Sequence, residues 1–214
     1  VGASGFLWLA IWWPLYRTPT PQRQFRGAAE GPSLRARPPA PWRLFRQRYV
    51  WSFALSKVFL DPAWYFYIFW FPEYLSKARG FDMASIGRYG WIPFLIAGLG
   101  NLLGGWLAAA LLARGLSINH ARKGAITAFA LLMLAAIPAV LVDSAPAAIA
   151  LVSIAMVGYT GCNANMLALP TDIYPGTMVS SVYGLASMGS GFGGMLFTLL
   201  TGWLVDHFSY TPVF

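Results

Sequence analysis

Long uncharged stretches alternate with short polar segments along this chain, and that alternation sets its reading. Residues 89–113, 124–142, 147–169 and 178–205 are each an apolar run, and 50–71 is a fifth that carries Lys57 and Asp61 in its middle. Each is long enough to cross a hydrocarbon core, which takes roughly 20 residues of helix. Residues 1–17 read as the end of a further span, with Trp8, Trp12, Trp13 and Tyr16 suited to the headgroup level. Pro-rich, basic residues 18–49 have the composition of a linker rather than of packed structure. The pattern predicts an all-α integral membrane protein with five complete spans and one truncated span.

Composition agrees: 57% of residues are hydrophobic and 10% charged, where soluble domains carry about 25% charged residues. The net charge of +8 points to no nucleic acid, because eight of the fifteen Lys and Arg fall between Arg17 and Arg48 and no soluble recognition module accompanies them. Basic loops mark the cytoplasmic side and meet anionic lipid headgroups. If the spans alternate, eleven Lys and Arg lie on one side and three on the other, which makes the linker cytoplasmic. The single cysteine, Cys162, sits in an apolar run and forms no intrachain disulfide. The chain has no signal-peptide pattern and reads as cut at both ends, with a further span expected after Phe214. His120 and His207 fall in loops on opposite sides, and no metal-ligand spacing, nucleophile elbow or phosphate loop occurs, so neither a metal site nor an enzyme is expected.

The polar residues inside the spans carry the chemistry. Lys57 and Asp61 are four apart on one helix face and can pair. Pro62 predicts a kink there, and Asp61, Trp64, Tyr65 and Ile68 share a face at helical spacing. Gly100 and Gly104 form a GxxxG suited to close helix approach. Asn163 and Asn165 are amides inside an uncharged segment. Such residues mark functional sites, yet Asn also joins packed helices. Two positions on a helix differ by about 200 degrees, so the two amides face apart. Tyr159, Asn163 and Met166 share one face, and Gly158, Gly161 and Asn165 another. Ser187 reads either as a hydrogen-bonding group or as a small packing residue among glycines.

Four separated stretches, KVFLDPAWYFYIFWFPEYLSKARGFDMASIG, PFLIAGLGNLLGGWLAAALLARGLSINHARK, NANMLALPTDIYP and VYGLASMGSGFGGMLF, occur in this order. Together they resemble the C-terminal half of the hexuronate-transporter branch of the major facilitator superfamily, in its anion:cation symporter family. The resemblance covers nearly all of 57–214. It implies the C-terminal six-helix bundle of a twelve-helix transporter working by alternating access. Residues 1–17 would then end helix 6, 50–71, 89–113, 124–142, 147–169 and 178–205 would be helices 7 to 11, and the last span would be missing. It further implies proton-coupled uptake of a sugar acid such as galacturonate or glucuronate across the bacterial inner membrane, with no cofactor besides the coupling protons. The partners are the anionic substrate, the lipid bilayer and an N-terminal half of the same transporter.

On this resemblance, substrate-binding residues are expected among Trp64, Tyr65, Tyr159, Asn163, Asn165 and Ser187, with Asn163 and Tyr159 on substrate hydroxyls and Asn165 holding a neighbouring helix. Of the superfamily's basic loop motif, Gly105, Trp106 and Leu107 are present, Ala109 stands at the acid position, and Arg122 and Lys123 remain. Asp172 is placed to pair with Arg114 or Arg122 and latch the cytoplasmic side. No Arg lies within a span, so a substrate carboxylate must be met by Lys57, by helix N-termini or by the other half. Asp61 is the only acid at depth and a candidate for coupling. The alternatives are a transporter of another organic anion, such as an aldonate or aldarate, and a structural or non-functional membrane fragment.

Overall fold

The structure, a computed structural model, describes residues 41–208 and 210–213. The truncated span and most of the linker expected over 1–40 lie outside the described residues. After a 3-10 turn at Pro41–Arg46 come α1 (Arg48–Phe69), α2 (Phe71–Lys77), α3 (Met83–Tyr89), α4 (Ile92–Ala113), α5 (Ile118–Met133), α6 (Ala136–Leu141), α7 (Ala145–Ile173) and α8 (Gly176–His207), then a last 3-10 turn at Thr211–Val213. Local chemistry sets many of these limits. Pro72, Pro93 and Pro146 stand in the first turns of α2, α4 and α7, where a missing N–H costs nothing. Asp82 and Ser117 cap α3 and α5 by accepting from the backbone N–H of Ser85 and of His120. Hydrogen bonding from Ser85 holds the Asp82 carboxyl below its usual range. α4 ends at Gly115, with φ +86°, whose N–H bonds to the Leu112 carbonyl while that of Leu116 bonds to Leu111.

Among the described residues, four segments are long and apolar enough to cross a membrane: Met83–Ala113, Ile118–Leu141, Ala145–Ile173 and Gly176–His207. The pattern predicts five. α1 has 22 residues and so a length of about 33 Å, but Arg48, Lys57, Asp61 and its Trp and Tyr side chains hold its hydropathy below that of the others. The span expected over 124–142 is two helices, parted at Leu134–Ala135 just ahead of Pro138, which has no N–H to continue the ladder.

The helix runs from Arg48 to Phe69 with Pro62 inside it. Pro62 cannot donate to the Val58 carbonyl, and the backbone of Val58 is instead approached by Gly193 of α8. A Cβ at Gly193 would lie 2.8 Å from the Val58 Cα. The chain breaks at Trp70, before Pro72.

α7 is the centre of the bundle. In its apolar window 61% of residues are buried, against 17–22% in the other three spanning segments. It packs along α4, α5 and α6, while α1 packs along α8, and the two groups meet in a narrower seam where α1 faces α7. Close packing through small residues holds helices together where lipid removes the hydrophobic drive. A Cβ at Gly104 would lie 2.6 Å from the Gly161 carbonyl oxygen, one at Gly158 2.7 Å from that of Phe129, and one at Gly189 2.6 Å from that of Ala54. Two apolar clusters fill the seam from either end. One holds Tyr67, Phe71, Tyr74, Val152 and Met156, and the other Val50, Phe53, Phe129, Cys162, Met166 and Val182.

At the end of the bundle away from Arg114 and Arg122, Arg79 closes α6. Its guanidinium donates to the carbonyls of Val142 at 2.5 Å and Ala139 at 2.9 Å, and its Nε donates to the Tyr74 hydroxyl at 2.7 Å. A cation on the free carbonyls of a helix C-terminus is favourable. Sequence reading counts Arg79 only as loop charge.

These contacts predict that Gly104→Val lowers stability by about 1–3 kcal/mol through overpacking, read as a lower thermal unfolding midpoint in detergent. Gly105→Ala should leave the midpoint unchanged or raise it, because nothing lies within 4 Å of a Cβ there.

Candidate functional site

Between the two apolar clusters lies a layer of polar side chains, and α1 and α7 supply all of it. Lys57 and Asp61, one turn apart on α1, are 8% and 6% exposed. The Lys57 ammonium donates to Asp61 Oδ1 at 2.7 Å and to Asn163 Oδ1 at 2.9 Å. The Tyr159 hydroxyl donates to the same Asp61 oxygen at 3.2 Å. An ammonium can only donate, so it fixes which end of the Asn163 amide it meets, and the Asn163 NH₂ is left with no partner among the described hydrogen bonds. Trp64 stacks on the Tyr159 ring, centroids 5.3 Å apart at 14°, and meets Phe94 edge-on. An ammonium, an amide with free N–H groups, a phenol and an indole face together complement a carboxylate attached to a hydroxyl-rich chain.

The other residues expected at the site are placed as follows. Tyr65 does not join the layer: its ring stacks on Phe69 and covers Gly194 of α8, where it lines a hollow of about 390 Å³ with Met195 and Thr198. The face expected to hold Asp61, Trp64, Tyr65 and Ile68 is thus shared between α7 and α8, with Ile68 exposed. Asn165 is fully buried and has no free surface for a ligand; its Nδ2 donates to the Gly104 carbonyl at 2.9 Å and the Gly161 carbonyl at 3.0 Å. Ser187 is exposed on α8 and takes part in none of the described hydrogen bonds.

Arg122 is the partner of Asp172. Its Nε donates to Asp172 Oδ2 at 2.8 Å and its Nη1 to Asn165 Oδ1 at 3.2 Å, with the two charged side chains 19% and 21% exposed. Arg114, the other partner considered, is exposed beyond the end of α4. Arg122 also lines a cavity of about 340 Å³ with Ser52, Ser56, Asn119, Lys123 and Tyr174, on the basic side of the polar layer. Among the described residues no group of three His, Cys, Asp or Glu is placed to hold a metal ion.

This helical architecture is also found in a solved structure. The chain matches the structure of a bacterial homologue of the human lysosomal transporter Spinster with a TM-score of 0.62 at 21% identity, over 96% of this chain and 44% of that one. Its curated relatives include the hexuronate transporter of Escherichia coli K12, 28% identical over all of this chain and 52% of the relative. The D-galactonate transporter of Escherichia coli O6:H1 is 25% identical over 99% of this chain and 53% of the relative. The galacturonate transporter of Dickeya chrysanthemi is 30% identical over 62% and 42%. No family model matches the chain. The chain spans about half the length of the first two relatives. It is a multi-pass membrane protein similar along its whole length to sugar-acid transporters.

The buried pair makes a specific energetic prediction. Lys57→Met leaves Asp61 without its cation and should destabilise by about 3–5 kcal/mol. Lys57→Met combined with Asp61→Asn should recover most of that loss, measured as unfolding midpoints in a double-mutant cycle.

Proposed function

We propose that the chain is the C-terminal bundle of a proton-coupled transporter that carries a sugar acid, a hexuronate such as galacturonate or glucuronate, across the bacterial inner membrane by alternating access. The observation that carries the reading is Lys57, buried midway along α1 and bound to Asp61 and Asn163, in a homologue of sugar-acid transporters. A cation kept at this depth is costly unless it has a task, and an anionic substrate supplies one. Lys57 and the free N–H groups of Asn163 meet the carboxylate and a neighbouring hydroxyl, Tyr159 meets a second hydroxyl, and the Trp64 face lies along the sugar. An N-terminal half supplies the facing wall, and the Arg122–Asp172 pair steadies the cytoplasmic ends of α5 and α7. Aldonates are the second reading, supported by the likeness to a D-galactonate transporter.

Uptake of labelled galacturonate by the intact protein in cells lacking their own transporter tests this. Uptake should rise with an inward proton gradient and fall with a protonophore. Loss of one substrate hydrogen bond is worth about tenfold in affinity, so Asn163→Ala should raise KM by that factor. Asn165→Ala should instead reduce the amount of folded protein, with KM little changed. A larger KM effect at Asn165 would reverse the assignment.

A further inference from the structure

We propose that the cavity between the first turns of α1, the first turns of α5 and the end of α7 is a binding site for an anionic phospholipid. Lys123 and Arg122 meet the phosphodiester, and the apolar depth of the cavity takes the upper part of an acyl chain. The proposal goes beyond the transport reading and uses none of the residues given there to the substrate.

The cavity, of about 340 Å³, is lined from Tyr49 to Ser56 on α1, from Asn119 to Ile126 on α5 and from Met166 to Tyr174 on α7. Each stretch covers about 10 Å of helix. One end of the cavity is therefore level with three helix ends, because α1 starts at Arg48, α5 starts at Ile118 and α7 stops at Ile173. The chemistry changes along that length. Asn119, Arg122 and Lys123 stand toward the helix ends, and the long side chains of a helix lean toward its N-terminus, which carries both cations outward. Deeper in, the walls are Phe53, Ile126, Met166 and Val182. A charge above an apolar shaft is the plan of a phospholipid.

The level is right for a headgroup. Tyr49 and Trp51, on the first turn of α1, are 53% and 57% exposed, and such aromatics sit where headgroups meet hydrocarbon. Ser52 on one rim and Lys123 on the other are exposed, so the cavity opens between α1 and α5.

The donors are also available. Lys123 takes part in none of the described ion pairs. Arg122 has five N–H groups, of which three are used on Asp172 and Asn165, leaving two. The N-terminal turn of α5 adds partial positive charge. Tyr174 lines the cavity too, and its buried hydroxyl has no hydrogen-bond partner among the described residues. A phosphate or ester oxygen is the kind of acceptor it lacks.

These features select among ligands. A free phosphate or a sugar acid makes no use of the apolar walls. A zwitterionic lipid brings its own ammonium against Lys123 and Arg122, which is unfavourable. A basic pocket between helices at the membrane surface suits a lipid with net negative charge.

The test uses the intact protein, delipidated in detergent, with phosphatidylglycerol added and bound lipid counted by native mass spectrometry. One molecule should bind saturably, with phosphatidylethanolamine weaker and with neither glycerophosphoglycerol, the headgroup without chains, nor galacturonate able to displace it. Lys123→Gln should weaken phosphatidylglycerol binding about fivefold. Because Lys123 is exposed, its unfolding midpoint without lipid should be unchanged. A phosphatidylglycerol with a photoreactive group in its acyl chain should label the peptides that carry Ile126 or Met166. Equal binding of phosphatidylethanolamine, displacement by the chainless headgroup or by galacturonate, an unchanged affinity in Lys123→Gln, or labelling only elsewhere overturns the proposal. So does the lack of any saturable binding, the result expected if another segment of the protein fills the cavity. None of these outcomes bears on the transport reading, which uptake of labelled galacturonate tests separately.

Discussion

The Lys57–Asp61 pair is the constraint on which the rest of the bundle depends. Two charges between apolar clusters are tolerable only when their remaining hydrogen-bonding capacity is met, and α1 cannot meet it alone. The need is filled from α7, by Tyr159 and Asn163, which lie four residues apart on one face. Satisfying the pair thereby fixes the rotation of the central helix. Once Asn163 faces α1, Asn165 is turned by about 200 degrees, and its amide closes the contact with α4. One polar demand on α1 thus orients the most buried of the spanning segments.

Different physics holds the two helix groups on either side of that seam. Within each group, glycines bring backbones to distances that no side chain would allow, Gly100 and Gly104 of α4 against α7 and Gly189 and Gly193 of α8 against α1. Such contacts have one good geometry and lose their dispersion energy over a fraction of an ångström. Across the seam, between the two apolar clusters, the joint is made of hydrogen bonds from Lys57 to Asn163 and from Tyr159 to Asp61, whose partners can be exchanged for others without loss of contact. The place where the groups can part most readily is therefore the place where ligand-binding chemistry is concentrated.

This distinction also explains how much was legible in the sequence. Pairing of Lys57 with Asp61, the opposed directions of Asn163 and Asn165, and the contact made by Gly100 and Gly104 follow from helical spacing, because each depends on one helix or on a small-residue motif. Tyr65 was placed with Asp61 and Trp64 because spacing shows that they share a face. It does not show that two neighbours divide that face. The approach of Gly193 to the Val58 backbone, whose carbonyl Pro62 leaves without a helical donor, joins residues more than a hundred positions apart and so left no local signal. The choice between Arg114 and Arg122 for Asp172 needed the path of α5. Arg79 left no signal at all, since its partners are mostly backbone carbonyls, which every sequence has.

The two ends of the seam are unlike, and the difference gives it a direction. Beyond Tyr67 the chain leaves α1 through α2, and there Arg79 and Tyr74 are bound to the carboxyl end of α6, with Tyr74 and Ala139 buried in one cluster. α1 is thus tied to the α7 group at that end by charge-assisted bonds on a helix terminus. At the other end the space between α1, α5 and α7 is a cavity edged by Ser52, Ser56 and Lys123, where the described bonds of Arg122 run to α7 and none to α1. Lys57 and Asp61 sit between the two, the first directly after Ser56 and the second one helical turn further on, so the polar layer lies where the pinned end gives way to the cavity.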